Sequence, residues 1–173
     1  MTFRIVNEDI TNMDVDAIVN AANTDLAMGA GVCGAIFRYA GIKELTMACK
    51  RLSPIKTGQA VITDGFAAKA KYIIHTAGPI YDKDNPSISE NLLKKSYSNS
   101  LNLAKDKHIK SIAFPLISSG IYGYPKEEAF KLAYETINTF LDQGNDIDVY
   151  LTIFDKNFFD ELSNIYDFNK RIF

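Results

Sequence analysis

Ser111-Ile112-Ala113-Phe114-Pro115-Leu116-Ile117-Ser118-Ser119-Gly120-Ile121-Tyr122-Gly123-Tyr124-Pro125 is the stretch on which the fold turns. Its opening residues, 111–114, form a short apolar run of the kind that fills a buried strand. A turn rich in Ser and Gly follows. Pro125 then sits where a helix can begin, since the first residues of a helix need no amide donor. Beyond it Ala129, Leu132, Ala133, Thr136, Ile137, Phe140 and Leu141 recur at helical spacing. A strand, a glycine-bearing turn and an amphipathic helix in that order are the building unit of an α/β protein.

The same alternation extends in both directions. Phe3, Ile5 and residues 15–21 read as early strands, and Val32, Ala35, Ile36, Tyr39 and Ala40 predict a helix beginning near Val32. Residues 59–63 and 72–76 are rich in β-branched and aromatic side chains and read as strands. Ser87-Ile88-Ser89-Glu90 after Pro86 fits a capping box opening a helix that runs to about Lys107. Residues 148–154 form a further strand, and Phe158, Phe159, Leu162, Ile165 and Tyr166 a last amphipathic helix. No repeat, low-complexity tract or linker interrupts the series. The expectation is one α/β domain over residues 1–173, with helices on both faces of a largely parallel sheet.

Composition narrows the function. At 173 residues, 47% hydrophobic and 23% charged, the chain suits one soluble core. Its apolar runs are too short to span a bilayer, and no basic segment followed by an apolar stretch opens it, so the cytoplasm is the expected location and no membrane partner is expected. Cys33 and Cys49 make no disulfide framework, and His75 and His108 join no Cys/His cluster, so no metal site is expected. A net charge of -2 without a Lys/Arg stripe argues against nucleic acid as partner.

Ligands of α/β sheets bind beyond the carboxyl ends of strands, which draws the eye to two turns. Gly29-Ala30-Gly31-Val32-Cys33-Gly34 precedes the first helix and carries three glycines in six residues. Its backbone can approach a ligand closely, and the helix that follows offers free amides and a partial positive charge. Ser118-Ser119-Gly120-Ile121-Tyr122-Gly123 occupies the equivalent place before the helix at Pro125. Neither turn contains Lys or Arg, so an anion held there would rest on backbone amides and hydroxyls. Neither fits the P-loop or dinucleotide fingerprints. A structural connector and a phosphate cradle are both open readings of each turn.

Three blocks together resemble a known family. Asp9-Ile10-Thr11 with Val15-Asp16-Ala17-Ile18-Val19-Asn20-Ala21-Ala22-Asn23 and Gly29-x-Gly31-Val32 is similar to the opening of macrodomains. Ala70-Lys71-Tyr72-Ile73-Ile74-His75-Thr76-Ala77-Gly78-Pro79 resembles their central strand, and residues 114–125 resemble their second phosphate loop. The match covers about residues 3–166. It implies a three-layer α/β/α sandwich around a mixed sheet and a site for ADP-ribose. By resemblance, Asp9 accepts from the adenine amino group and Ile10 adds a backbone contact. Phe154 packs on the adenine face or, alternatively, in the core. Gly31, Val32, Ser118, Ser119, Gly120, Ile121 and Tyr122 wrap the diphosphate and distal ribose, Asn23 holds that ribose, and Asn20 braces the loop. Asp9 read without the resemblance is a turn or cap residue.

The resemblance also implies activity: hydrolysis of mono-ADP-ribose from Asp or Glu side chains of modified proteins, with O-acetyl-ADP-ribose as a further substrate and no cofactor. Asn23, Cys33 and Tyr122 are the residues expected at the reacting end. Many hydrolytic macrodomains read Gly-Gly-Gly-Val-Asp-Gly-Ala-Ile-His where this chain has Ala30, Cys33 and Phe37. The missing Asp is the residue usually assigned to activate water. The Gly-Val-Cys sequence is the one found in the alphavirus group, which is hydrolytic. Cys33 as a nucleophile lacks a clearly placed histidine, and a small loop packer is its other reading. His75 reads as a satisfied core residue and His108 as solvated. The alternatives to a hydrolase are a non-catalytic ADP-ribose reader and an ADP-ribose 1″-phosphate phosphatase. ADP-ribose and mono-ADP-ribosylated proteins are the expected partners, and a monomer the expected state.

Overall fold

The computed structural model describes residues 1–166 and 168. Its strands are β1 (Phe3–Val6), β2 (Ala17–Ala22), β3 (Ala60–Asp64), β4 (Tyr72–Ala77), β5 (Ser111–Pro115) and β6 (Asp148–Thr152). Its helices are α1 (Gly31–Ala40), α2 (Ile42–Leu52), α3 (Pro86–Asp106), α4 (Lys126–Asp142) and α5 (Lys156–Ile165), with one 3-10 turn at Ile10–Asn12. The strands form a six-stranded sheet in the order β1-β6-β5-β2-β4-β3. Every neighbouring pair is parallel except β3 with β4, so the sheet is mixed and largely parallel, as the alternation requires.

Strand periodicity divides the core into two. Ile18, Ala22, Ile73 and Ala77 face one side, where Cys33, Ile36 and Phe37 of α1 and Leu45 and Cys49 of α2 close over them. Val19, Ile74, Ile112, Phe114 and Leu151 face the other, against Leu93, Tyr97 and Leu101 of α3, Phe130 and Ile137 of α4, and Phe158 and Leu162 of α5. These are the three layers. None of the helices among the described residues is long and apolar enough to cross a membrane.

Four local readings change. Helix α2 is not foreshadowed in the pattern, because only Leu45 and Cys49 of its eleven residues are buried and the rest is largely polar. The capping box at Ser87 does not form: α3 begins at Pro86, its cap Asn85 makes no side-chain bond, and Ser89 instead accepts the Asp82 amide at 3.0 Å. Ile165, counted on the apolar face of α5, is 69% exposed. Strand β6 ends at Thr152, so Phe154 lies beyond the sheet and is 78% exposed, which removes the core-packing reading.

The five parallel strands all empty onto one rim. Residues 7–9 follow β1, Asn23 follows β2, Gly78 follows β4, residues 116–124 follow β5 and Ile153–Phe154 follow β6. The two glycine-bearing turns therefore meet above the same edge, where this class of fold places its ligands.

Candidate functional site

A cleft of two lobes runs along this rim. The first lobe, about 500 Å³, is lined by Glu8, Asp9, Ile10, Ser119, Lys126, Phe154, Asp155 and Phe158 among others. The second, about 320 Å³, is lined by Asn23, Gly29, Cys33, Gly78, Ser118, Ile121 and Tyr122 among others. Gly31, Val32, Leu116 and Gly120 line both and form the waist between them. A larger hollow of about 710 Å³ lies along β1, away from both turns, and has none of these features.

The first turn meets the waist at the start of α1. Gly31 has φ of +59°, which a side chain would strain, and opens the helix after Ala30. Ala30 offers no side-chain cap, and among the described residues the amides of Gly31, Val32 and Cys33 have no partner. An uncapped helix end facing a cleft is an anion seat.

The second turn is braced from below. Tyr97 Oη, wholly buried on α3, donates to the Pro115 carbonyl at 3.2 Å and accepts the Ile117 amide at 3.0 Å. Tyr124 N–H donates to the Ser118 carbonyl at 3.0 Å, and Ser118 takes φ of +66°, uncommon for a residue with a side chain. Its Oγ is buried against Gly78 with no hydrogen-bond partner among the described residues, an expensive state for a hydroxyl. Among the described residues the amides of Gly120, Ile121 and Tyr122 likewise have no partner. Gly78 admits the turn, because a Cβ there would fall on Ser118 Oγ and Ile117 Cγ2.

At the far end of the second lobe Asn23 clamps its own loop. Its Nδ2 donates to the Ala27 carbonyl at 2.9 Å and its Oδ1 accepts the Ala27 amide at 3.0 Å. Each group keeps one further hydrogen-bonding valence. Cys33 is 4% exposed, and its Sγ accepts the Gly29 amide at 3.4 Å.

Asn20 does not reach the cleft. It is 1% exposed and lies beneath, with Nδ2 3.7 Å from Cys33 Sγ and 3.1 Å from His75 Nδ1. His75 Nε2 in turn stands 3.0 Å from Thr63 Oγ1 and 3.9 Å from Cys49 Sγ. His75 is thus a bonded core residue, as expected, but the sequence hid its link through Asn20 to Cys33. Burial pushes His75 down to about 4 from 6.5.

That shift makes a prediction about stability. The unfolded chain binds this proton below pH 6.5, and the folded chain binds it only near pH 4. Stability from the neutral ring is complete above pH 6.5 and is lost as pH falls toward 4, by up to about 3 kcal/mol. Urea unfolding across that window should show the decline in the wild type and a flatter profile in His75→Gln. Equal slopes would remove His75 as the source.

The first lobe contains what the sequence could not pair. Asp9 caps the 3-10 turn, its Oδ1 accepting from Thr11 N at 2.9 Å and Thr11 Oγ1 at 2.7 Å, so its cap reading holds alongside its place at the cleft. Lys126 Nζ meets Asp155 Oδ2 at 2.7 Å and lies 5.6 Å from the Phe158 ring centre. That contact holds the Asp155 carboxyl below its usual range. The turns lack cations, as read, yet one lysine lines the lobe from the start of α4. The described residues contain no cluster of three or more His, Cys, Asp or Glu able to hold a metal.

Comparison with known proteins agrees with this architecture. The Macro domain family profile matches residues 19–133. An O-acetyl-ADP-ribose deacetylase of Salmonella newport is 45% identical over 142 residues, covering 80% of this chain and 78% of that protein. An ADP-ribose glycohydrolase MACROD2 of Xenopus laevis is 48% identical over 138 residues, covering 80% of this chain and 33% of that longer protein. Among solved structures, a mutant of the Oceanobacillus iheyensis macrodomain with ADPR superimposes with a TM-score of 0.86 at 40% identity, covering 93% of this chain and 91% of the other. The chain belongs to the macro domain family.

Proposed function

We propose that the chain binds ADP-ribose along the cleft and hydrolyses mono-ADP-ribose from Asp or Glu side chains of modified proteins. The observation that carries this reading is the waist: two cation-free turns, whose amides have no partner among the described residues, line one shared gap. A pyrophosphate fits that gap by charge and by hydrogen bonding. The adenine end then falls in the first lobe, with Asp9 accepting its amino group, Ile10 beside it and the exposed Phe154 ring available to stack. The distal ribose falls in the second lobe, between Asn23 and Tyr122. The names of the Salmonella and Xenopus relatives and the ADPR complex of the Oceanobacillus protein support the same chemistry.

In this reading Asn23 uses its free amide valences to orient the ribose and the attacking water. A substrate phosphate oxygen takes the water's proton as the bond between C1″ and the carboxylate breaks. The carboxylate is already a good leaving group, so fixed geometry supplies much of the acceleration. O-acetyl-ADP-ribose also carries an acyl ester on its ribose and is a further candidate substrate of the same cleft. Acid-linked ADP-ribosylated protein incubated with the chain should release ADP-ribose over time, while a serine-linked substrate, an O-glycoside whose alkoxide is a far poorer leaving group than a carboxylate, should persist. No heat on titrating ADP-ribose at millimolar concentration would refute the whole reading.

One observation favours a reader that holds ADP-ribose without turning it over. Cys33 stands where many hydrolytic relatives carry Asp, and its sulfur is buried and engaged with the Gly29 amide. Binding without release of acid-linked ADP-ribose would select that reading.

A further inference from the structure

We infer that the first lobe selects ligands whose adenosine carries no phosphate of its own, so that ADP-ribose is accepted and its 2′-phosphorylated counterpart is turned away. The inference rests on the assignment of that lobe to adenosine.

Ionisable side chains divide unequally along the cleft. Among the described residues no Asp, Glu, Lys or Arg lines the second lobe. The first is lined by Glu8, Asp9, Asp155 and Lys126. The lysine is already committed: Asp155 Oδ2 holds its Nζ at 2.7 Å. Asp155 cannot readily swing aside to release it, because its other oxygen accepts the Asn157 and Phe158 amides at 3.1 and 3.3 Å and caps α5. Among the described residues no cation pairs with Glu8 or Asp9. Glu8 Oε1 accepts the Asp9 amide at 3.0 Å, and Asp9 Oδ1 is fixed by Thr11.

Negative charge is therefore welcome at the waist, where main-chain amides meet it, and unwelcome one ribose away. A phosphate on the adenosine 2′-oxygen would enter the first lobe with no free Lys or Arg among the described residues that line it. It would face the two carboxylates of Glu8 and Asp9. Repulsion of this kind corresponds to at least roughly tenfold in affinity at moderate ionic strength and shrinks as salt rises.

Calorimetric titration of the full chain with ADP-ribose and with ADP-ribose 2′-phosphate tests this directly. The wild type should prefer ADP-ribose by about tenfold or more. Asp155→Asn is the decisive variant. Asparagine caps a helix as aspartate does, so α5 should persist, while Lys126 loses its charged partner and becomes available to a phosphate. The preference should then narrow several-fold, and Lys126→Ala should widen it. Equal wild-type affinities, or an Asp155→Asn preference identical to wild type, would overturn the inference. Absence of heat with ADP-ribose itself would instead refute the assignment beneath it.

Discussion

Asn23→Ala is expected to slow release of ADP-ribose from acid-linked protein by about a hundredfold or more, the scale of losing one positioning group. Affinity for free ADP-ribose should fall by less than about tenfold, since the first lobe and the waist are untouched. The reason lies in what the amide does twice. Its two bonds to Ala27 close a loop in which Leu26, 3% exposed with φ of 53°, anchors the chain to the core. Its remaining hydrogen and lone pair are directed to whatever lies beside the loop. Alanine removes both functions, so the ribose loses its orienting partner and the wall behind it loosens. Single-turnover kinetics beside calorimetry separate the two effects. A variant that binds and turns over like the wild type would leave Asn23 without a role in the chemistry.

Gly78→Ala should be nearly as damaging from a residue with no polar side chain. The added methyl would fall on Ser118 Oγ and Ile117 Cγ2. Neither neighbour can yield cheaply. Ile117 is fully buried with its amide on Tyr97 at 3.0 Å, and Ser118 is 7% exposed, left-handed and tied to Tyr124. Overpacking at such a place costs about 1–3 kcal/mol. Relief by moving the turn would displace the Gly120 to Tyr122 amides, and a shift near 1 Å at a positioned site costs on the order of a hundredfold. Denaturant unfolding and ADP-ribose titration should both register the change. Wild-type behaviour in both would mean that this contact does not set the second turn.

The elements were legible where periodicity was strong. The run at residues 111–114 and the apolar face of α4 place β5, the turn and the helix within a residue or two of their positions. Helix α2 escaped because two buried positions in eleven leave little periodic signal. The capping box at Ser87 misled because Pro86 already serves as the first helical residue, leaving Ser89 free to bond Asp82. At the site, residues within the two turns could be named because glycine content and helix starts are local features. Lys126 and Asp155 are 29 positions apart, and Tyr97 reaches the turn from 20 residues upstream of Ile117; nothing in a linear pattern links them. Gly78 was visible only as part of a family block, since its purpose is the absence of a methyl against a segment 40 residues away. Phe154 could be read either way until the sheet was seen to stop at Thr152.

Five strands emptying onto one rim separates two kinds of inheritance. The scaffold is held by apolar clusters to which Phe154, Gly120 and Ile121 contribute nothing. Those same residues line the cleft. Substitutions there can retune what is recognised at little cost to folding, so descendants of one such architecture are free to diverge in appetite while remaining alike in shape.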